Sequence, residues 1–512
     1  MTNPPDLYDL FIIGGGINGV GIARDAAGRG LKVALAEQND LASATSSAST
    51  KLLHGGLRYL EYCEFRLVAE ALAEREALLG IAPHIIWPLE FVLPHEQHLR
   101  PAWLIRLGLF MYDHLGHLPF GAGSLPRGRT RSSLPGSRRV RLEQDALGAG
   151  LKPEFGSGFS YFDCWVDDAR LVVLNARSAA ERGAAIMPHT RCVAARRAGD
   201  TWEITIADVL GERTLRARAL VNAAGPWVNQ VLDEAGVESA GAVRLVKGSH
   251  IVVPRIHDQR HAFILQNPDR RVVFMIPYER AFTLIGTTDV AVGEGEREAQ
   301  VTADEIAYLC EAANRYSRRQ LDPVEVVWSF SGVRALYDDG TANPAAVTRD
   351  YHLILDAGSE HGGAPLLSVF GGKITTYRRL AEQALQKLAR WFPGTRAWTA
   401  GEALPGGDFG GRSFTQVHEE YSARHPGLSA PLLTRLLRRH GVLAAGILGN
   451  ARAEQDLGRN FGGGLYEAEV RYLAEHEWAQ DASDVLWRRT KCGLHMTRAE
   501  HGRLQDFMAT LR

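Results

Sequence analysis

The sequence predicts an α/β fold divided into several domains, the last of them mostly helical. Three observations carry this. The 512 residues exceed what one core accommodates, since domains run to roughly 100–200 residues each. The chain opens on a short apolar run, a glycine turn, a helical stretch and a second apolar run, and strands and helices then alternate without a fixed repeat. Beyond about residue 400 the strand signals give way to helical periodicity.

Leu10 to Ile13 is short and apolar, as a buried strand is. Gly14-Gly15-Gly16-Ile17-Asn18-Gly19 turns the chain, and Val20 to Ala27 keeps helical spacing until Gly28-Arg29-Gly30 stops it. Leu31 to Ala36 reads as a second buried strand closed by Glu37, which completes a βαβ unit. Further on, Leu171 to Arg182 reads as a helix, Thr201 to Ile206 as an alternating strand, and Ala219 to Ala224 as an apolar strand before Gly225-Pro226-Trp227. A short polar turn joins Val272–Pro277 to Phe282–Gly286 as an antiparallel pair. Leu366 to Phe370 is another strand, after which Gly371-Gly372-Lys373 is expected to open a helix reaching about Arg390. Phe392 to Gly411, rich in Gly and Pro, is the expected linker, followed by helices at Pro431–His440 and Glu467–Trp478.

Composition excludes some functions. A formal net charge of -1 gives no global attraction for nucleic acid or an anionic membrane, so any such affinity is local. Cys63, Cys164, Cys192, Cys310 and Cys492 are odd in number, far apart and without a C-x-x-C pair. That pattern predicts reduced thiols in a cytosolic compartment, with no disulfide framework and no metal site. Met1 to Leu7 lacks a basic start followed by an apolar stretch, and no window of about 20 residues is free of charge, so neither a secretion signal nor a spanning helix is expected.

Gly14, Gly16 and Gly19 stand at G-x-G-x-x-G spacing between a strand and a helix. The first permits the turn, the second admits a pyrophosphate to the backbone, and the third allows close helix packing. The helix N-terminus then offers N–H groups and its positive dipole end to phosphate. Glu37, 18 residues after Gly19, is placed to accept hydrogen bonds from an adenosine ribose. A bland turn explains the glycines alone, but the βαβ context and the acid favour a dinucleotide. No second fingerprint exists, because Gly462-Gly463-Gly464 follows no apolar strand. One dinucleotide suffices, and the next segment favours FAD over NAD: Ser43, Thr45, Ser46, Ser47, Ser49 and Thr50 suit an extended ligand, and His54-Gly55-Gly56 lets backbone approach a flat ring. A flexible Ser-rich loop is the competing explanation.

The runs GGGINGVGIARDAAGRG, SSASTKLLHGGLRYLE, WVDDARL, NAAGPW, KGSHIVVP, IGTTDV, SGVRAL, TRDY and SVFGGKITTYRRLAE resemble those of the aerobic, FAD-dependent glycerol-3-phosphate dehydrogenases. The resemblance extends from Asp9 to about Arg390, and LWRRTK at Leu486 to Lys491 continues it. It implies a glutathione-reductase-like FAD-binding domain over residues 1–90, 155–230 and 330–395. A mixed-sheet substrate domain over 91–154 and 231–329 and a helical C-terminal cap over 400–512 complete the expected architecture. Turn, hydroxyl run and matched motifs together give an expected cofactor set of Gly14, Gly15, Gly16, Asn18, Gly19, Glu37, Thr45, Ser46, Ser47, Ser49, Leu53, His54, Ala224, Gly225, Gly332, Gly372, Lys373, Ile374 and Thr375.

A dianionic phosphate asks for cationic, fork-like donors. The resemblance puts the substrate ligands at Arg58, Tyr59, Arg334, Arg349 and Lys373. The group that takes the hydroxyl proton stays open among His54, Arg334 and Lys373, an arginine base requiring a steeply lowered pKa. A helix N-terminus at Gly371–Thr375 is expected to stabilise negative charge on reduced flavin. Asp167 and Asp168 invite a catalytic reading, but they precede a helix and are read as caps.

His98 to His117 combines Trp103, Leu104, Leu107, Phe110 and Met111 with Arg100 and Arg106, and Arg127, Arg129, Arg131, Arg138, Arg139 and Arg141 cluster beyond it. A core helix and a solvated loop explain these residues without a membrane. The resemblance favours a bilayer interface instead, implying a cytoplasmic homodimer held peripherally at the inner face of the cell membrane. The activity implied is oxidation of sn-glycerol 3-phosphate to dihydroxyacetone phosphate, with hydride to flavin N5 and electrons to membrane quinone. The rivals are an oxidase that reduces oxygen and a non-catalytic flavin-binding regulator, and the cationic set argues against the regulator.

Overall fold

The computed structural model describes residues 7–96, 100–116, 132–238, 241–269, 271–297, 299–338, 350–358 and 363–511, apart from the side chains of Arg58 and Glu294. Arg349, Arg127, Arg129, Arg131, His98 and His117 lie outside the described residues.

Strand β1 (Leu7–Ile13) lies between two parallel neighbours, β2 (Val33–Ala36) and Gly211–Asn222. Leu10, Phe11 and Ile12 are fully buried, because both faces of the sheet are covered and the run is apolar throughout instead of alternating. Leu366–Phe370 pairs parallel beyond Gly211–Asn222, His352–Asp356 closes that edge antiparallel, and Ala185–Met187 flanks β2. The hairpin of Arg191–Ala198 and Thr201–Asp208 completes eight strands. Leu10 and Ile12 face a layer formed by α1 (Ile17–Gly28) and the helices Asp168–Ala180 and Tyr377–Lys387. Phe11 and Ile13 face the hairpin, against Trp202, Leu220 and Val228.

A second sheet of ten strands is built on the long pair Val243–Pro254 and Trp328–Tyr337. Phe282–Gly286 and Val272–Tyr278 pair antiparallel as expected, and the order continues through Ala262–Gln266, Ile86–Pro94 and Ser157–Val166 to Leu52–Leu53. Helix Ala303–Tyr316 covers one face, while Phe65–Ile81 and Ala102–Leu115 cover the other. The C-terminal helices Phe414–Arg424, Ala430–His440, Glu467–Glu477 and Arg498–Ala509 enclose their own core. Gly462, Gly463 and Gly464 all have positive φ and turn a two-stranded hairpin.

Two expectations shift. Ser157–Val166 and residues 330–337 of the strand Trp328–Tyr337, grouped with the cofactor domain from sequence, lie in the second sheet. Alternation identifies a strand but not its partner. The helix expected from Gly371 starts at Tyr377 instead, because Gly371 at φ +74 and Gly372 at φ +101 cannot enter a right-handed helix.

Candidate active site

The tip of β1 makes the glycine turn, and two of its glycines leave no room for a side chain. A Cβ at Gly14 would lie 2.5 Å from the Ala223 carbonyl oxygen, and one at Gly19 would lie 1.9 Å from that of Gly14. Gly16 precedes α1, the Ile17 N–H donates to Ser46 Oγ at 3.0 Å, and the other first-turn N–H groups lack acceptors within the helix. Glu37 closes the far side, accepting from Gly15 N–H at 2.7 Å and from Asn39 N–H at 2.9 Å. Burial pushes its carboxyl above the usual range.

These groups open onto a cavity of about 390 Å³ that runs from Glu37 to the second sheet. Of the expected cofactor set, Gly14, Gly16, Asn18, Glu37, Thr45, Ser46, Ser49, His54, Ala224, Gly225, Gly332, Gly372, Lys373, Ile374 and Thr375 line it. Gly15, Gly19, Ser47 and Leu53 do not, so the first two shape the turn behind the wall. The hydroxyl run is partly committed to the protein: Thr45 Oγ1 donates to the Val333 carbonyl at 2.6 Å, and Ser49 Oγ donates to Asp168 at 2.8 Å. Asp167 caps its helix as expected by accepting from Arg170 N–H. Asp168 does more than cap, because it also forms a buried ion pair with Lys51 at 2.8 Å that fastens the loop.

The remaining wall is made by Gly371–Thr375 and the second sheet. Asn18 Nδ2 donates to the Gly371 carbonyl at 3.2 Å, while its buried Oδ1 has no partner among the described residues. The buried Nζ of Lys373 lies 4.0 Å over the Tyr59 ring and likewise has no hydrogen-bond acceptor among them. Arg334 pairs with Asp289 and donates to Thr287 Oγ1 at 3.2 Å. His54 is held by its backbone, its N–H meeting Thr375 Oγ1 at 3.4 Å, and the next N–H, of Gly55, donates to Tyr112 Oη at 2.7 Å. Tyr112 is fixed in turn by Asp163 at 2.9 Å. Arg58 belongs to the turn Leu57–Tyr62 beside them.

His250, which falls inside the KGSHIVVP run, lines the cavity as well. It stacks on Phe330 at 4.9 Å, and its Nε2 lies 3.0 Å from Thr50 Oγ1. Burial holds it well below the usual imidazole range, with Arg334 and Lys51 adding to the effect. Thr190, Arg191, Gln230 and Glu234, which line the cavity beyond Glu37, gave no motif signal.

Glu305 braces the strands beneath Arg334. It accepts from Ser249 Oγ and Thr288 Oγ1 at 2.8 Å each and pairs with Lys247 at 2.9 Å. Burial raises its carboxyl, but bonds from Thr302 N–H, Lys247, Ser249 and Thr288 outweigh this and hold it at about 2. A carboxyl lowered by folding adds stability above its ordinary pKa and loses it as pH falls toward the folded value. The melting-temperature gap between the natural chain and Glu305→Gln is therefore expected to be widest above about pH 5 and to shrink toward pH 3. A gap that stays constant across that range would contradict the assignment.

An extended cavity behind a glycine turn, with an acid at one end and cations at the other, defines a flavin-dependent oxidoreductase. The orphaned Asn18 Oδ1 and Lys373 Nζ, and the absence of room for a Cβ at the turn, fit FAD. Residues 9–378 match the family of FAD dependent oxidoreductases, and residues 397–511 match the C-terminal domain of alpha-glycerophosphate oxidase. The chain belongs to the FAD-dependent oxidoreductases and, among them, to the glycerol-3-phosphate dehydrogenase family. It is 52% identical to D-erythritol 1-phosphate dehydrogenase of Brucella abortus over 97% of this chain and 96% of that one. It is 49% identical to aerobic glycerol-3-phosphate dehydrogenase of Escherichia coli over 98% and 97%. The solved glycerol-3-phosphate dehydrogenase of Bacillus halodurans, complexed with FAD, superposes with a TM-score of 0.73 at 25% identity, covering 99% of this chain and 94% of that one.

Proposed function

We propose that this chain oxidises the C2 hydroxyl of sn-glycerol 3-phosphate to the ketone of dihydroxyacetone phosphate and passes the electrons to a membrane quinone. The observation that carries the reading is that Arg334, Lys373 and His54 all line the cavity onto which the glycine turn opens. Bound FAD supplies the hydride acceptor. Arg334, ion-paired with Asp289 and oriented by Thr287, takes the phosphate in a two-pronged grip, and the resemblance adds Arg58 and Arg349 as further ligands. Lys373 brings a second cation, its Nζ buried over the Tyr59 ring. His54 is the proposed acceptor of the hydroxyl proton. Its backbone anchors to Thr375 and, through Gly55, to Tyr112 hold the imidazole loop in place while substrate changes.

Anaerobic addition of glycerol 3-phosphate is expected to bleach the flavin absorbance, and an unchanged spectrum would sink the proposal. The 52% identical relative supports a second reading, in which D-erythritol 1-phosphate is the better substrate. A kcat/KM for that four-carbon alcohol about tenfold above that for glycerol 3-phosphate, roughly 1.4 kcal/mol, would select it. Oxygen uptake with stoichiometric peroxide, in the absence of a quinone analogue, would point to an oxidase.

No helix among the described residues is long and apolar enough to cross a membrane. Helix Ala102–Leu115 instead turns Trp103, Leu107 and Phe110 outward, 68%, 47% and 52% exposed, at one-face spacing. The exposed side chains of Arg138, Arg139 and Arg141 lie on a neighbouring strand of the same domain. This face is proposed to rest on anionic lipid. Trp103→Ser with Phe110→Ser is expected to abolish sedimentation with anionic vesicles while leaving flavin bleaching intact, and sedimentation equal to that of the natural chain would refute it.

A further inference from the structure

The LWRRTK segment lies outside the cavity, yet it reaches both ends of the cavity wall. The turn Asp484–Arg489 belongs to the C-terminal domain and packs against helix Asp168–Ala180. Arg489, fully buried, gives both arms of its guanidinium to Asp40: Nη1 meets Oδ2 and Nη2 meets Oδ1, each at 2.7 Å. Its Nε and Nη2 also donate to the Glu477 carbonyl at 2.9 and 2.7 Å, which fixes the fork from behind. Arg488 reaches Asp40 and Asp484. Burial alone would raise the Asp40 carboxyl, but Arg489 and Arg488 hold it below its usual range, so the contact is ionic.

Asp40 stands three residues beyond Glu37, in the loop that leads into the hydroxyl run. That loop is bound to the glycine turn by Ala42 N–H to the Gly15 carbonyl at 3.2 Å, and to the turn after Ala185–Met187 by His189 N–H to the Asn39 carbonyl at 2.8 Å. Glu37, Gln38, Asn39 and Ala42 all line the cavity. At the other end, Trp487 stacks on Trp328 with ring centres 4.7 Å apart and planes 19° from parallel. Trp328 begins the strand that presents Gly332 and Arg334. Lys491 lies 3.7 Å from Asp167, next to the Asp168 that fastens Lys51 and Ser49. A buried ion pair gains little net stability over an apolar contact of the same shape, whereas it does fix orientation. Two arginines on one loop carboxylate suit that second purpose.

We propose that Asp484–Lys491 is a brace by which the C-terminal domain holds the FAD pocket in register, with Arg489 and Trp487 as positioning residues that act on the cofactor without lining its cavity. Arg489→Lys keeps the charge but cannot make the two-pronged contact. Trp487→Leu removes the stack. Arg439→Lys is the control, because Arg439 is a buried arginine of the same domain that pairs with Glu469 at 3.1 Å and is not bonded to the Asp40 loop. The readouts are FAD release from diluted holoenzyme, followed by recovery of free-flavin fluorescence, and the melting temperature of each protein. Arg489→Lys and Trp487→Leu are expected to release FAD at least roughly tenfold faster than the natural chain, and Arg439→Lys within about threefold of it even where its melting temperature falls as far. Equal release from Arg439→Lys at equal loss of melting temperature, or unchanged release from Arg489→Lys, would overturn the brace. If Arg489→Lys fails to fold with flavin, Trp487→Leu decides by the same comparison.

Discussion

Gly19→Ala is expected to yield a protein that cannot retain FAD. The new Cβ would lie 1.9 Å from the Gly14 carbonyl oxygen, and the atom it meets is backbone in the tightest part of the turn, not a side chain that can swing away. Relief requires the turn to open by more than about 1 Å, which displaces the first-turn N–H groups of α1 that would hold a pyrophosphate and separates Gly14 from Ala223. Overpacking of this kind costs roughly 1–3 kcal/mol in stability. The loss in cofactor affinity is larger in consequence, about a hundredfold or more, since the N–H groups that bind the phosphates are the ones displaced. Flavin absorbance per mole of purified protein, and the Kd for added FAD, measure it. Gly30→Ala is the control. Gly30, unlike Gly19, has a positive φ, +85, but has nothing within 4 Å of its Cβ position, so its variant should lose some stability and keep its flavin. A Gly19→Ala protein with stoichiometric FAD would remove the turn from the binding site.

The second large effect is expected at Arg334. Arg334→Met removes the two-pronged donor and leaves the Asp289 carboxylate facing an anionic substrate, so both attraction and repulsion work against binding. Truncating one member of such a pair costs about 2–5 kcal/mol, which is a fall in kcat/KM of roughly 30- to 5,000-fold for glycerol 3-phosphate, with FAD content unchanged. Arg334→Met, Asp289→Asn should recover part of the loss by removing the negative charge of that carboxylate. A double variant no better than the single one would show that the carboxylate does not face the phosphate.

The sequence made the adenosine end of the site legible because its requirements are local. A glycine turn, an acid at the end of the next strand and the spacing between them are fixed by a few dozen contiguous residues. It also pointed to Lys373 and Arg334, but only as members of matched motifs. Nothing in periodicity says that Gly371–Thr375 meets Asn18, since that contact depends on a strand order set by pairings hundreds of residues apart. His250 stayed hidden for the same reason: it is one residue in an apolar strand until Gly286, Thr50 and Phe330 are brought round it. Asp168 was read as a helix cap from its position, which is half of its role, because Lys51 lies far upstream. Domain limits drawn along the chain also failed to capture how Ser157–Val166 and residues 330–337 join the other sheet.

Strand β1, Gly211–Asn222 and Leu366–Phe370 lie side by side in the first sheet but leave the ribosome far apart in time. At about 5–20 residues per second, tens of seconds separate the glycine turn from the strand that completes its sheet. During that interval the whole second sheet must be made and set aside, and the nascent chain carries the bare flank of Gly211–Asn222 in search of a partner. The Gly371–Thr375 wall emerges later still. A fragment that stops short of Thr375 is therefore not a smaller flavoprotein, however complete its glycine turn.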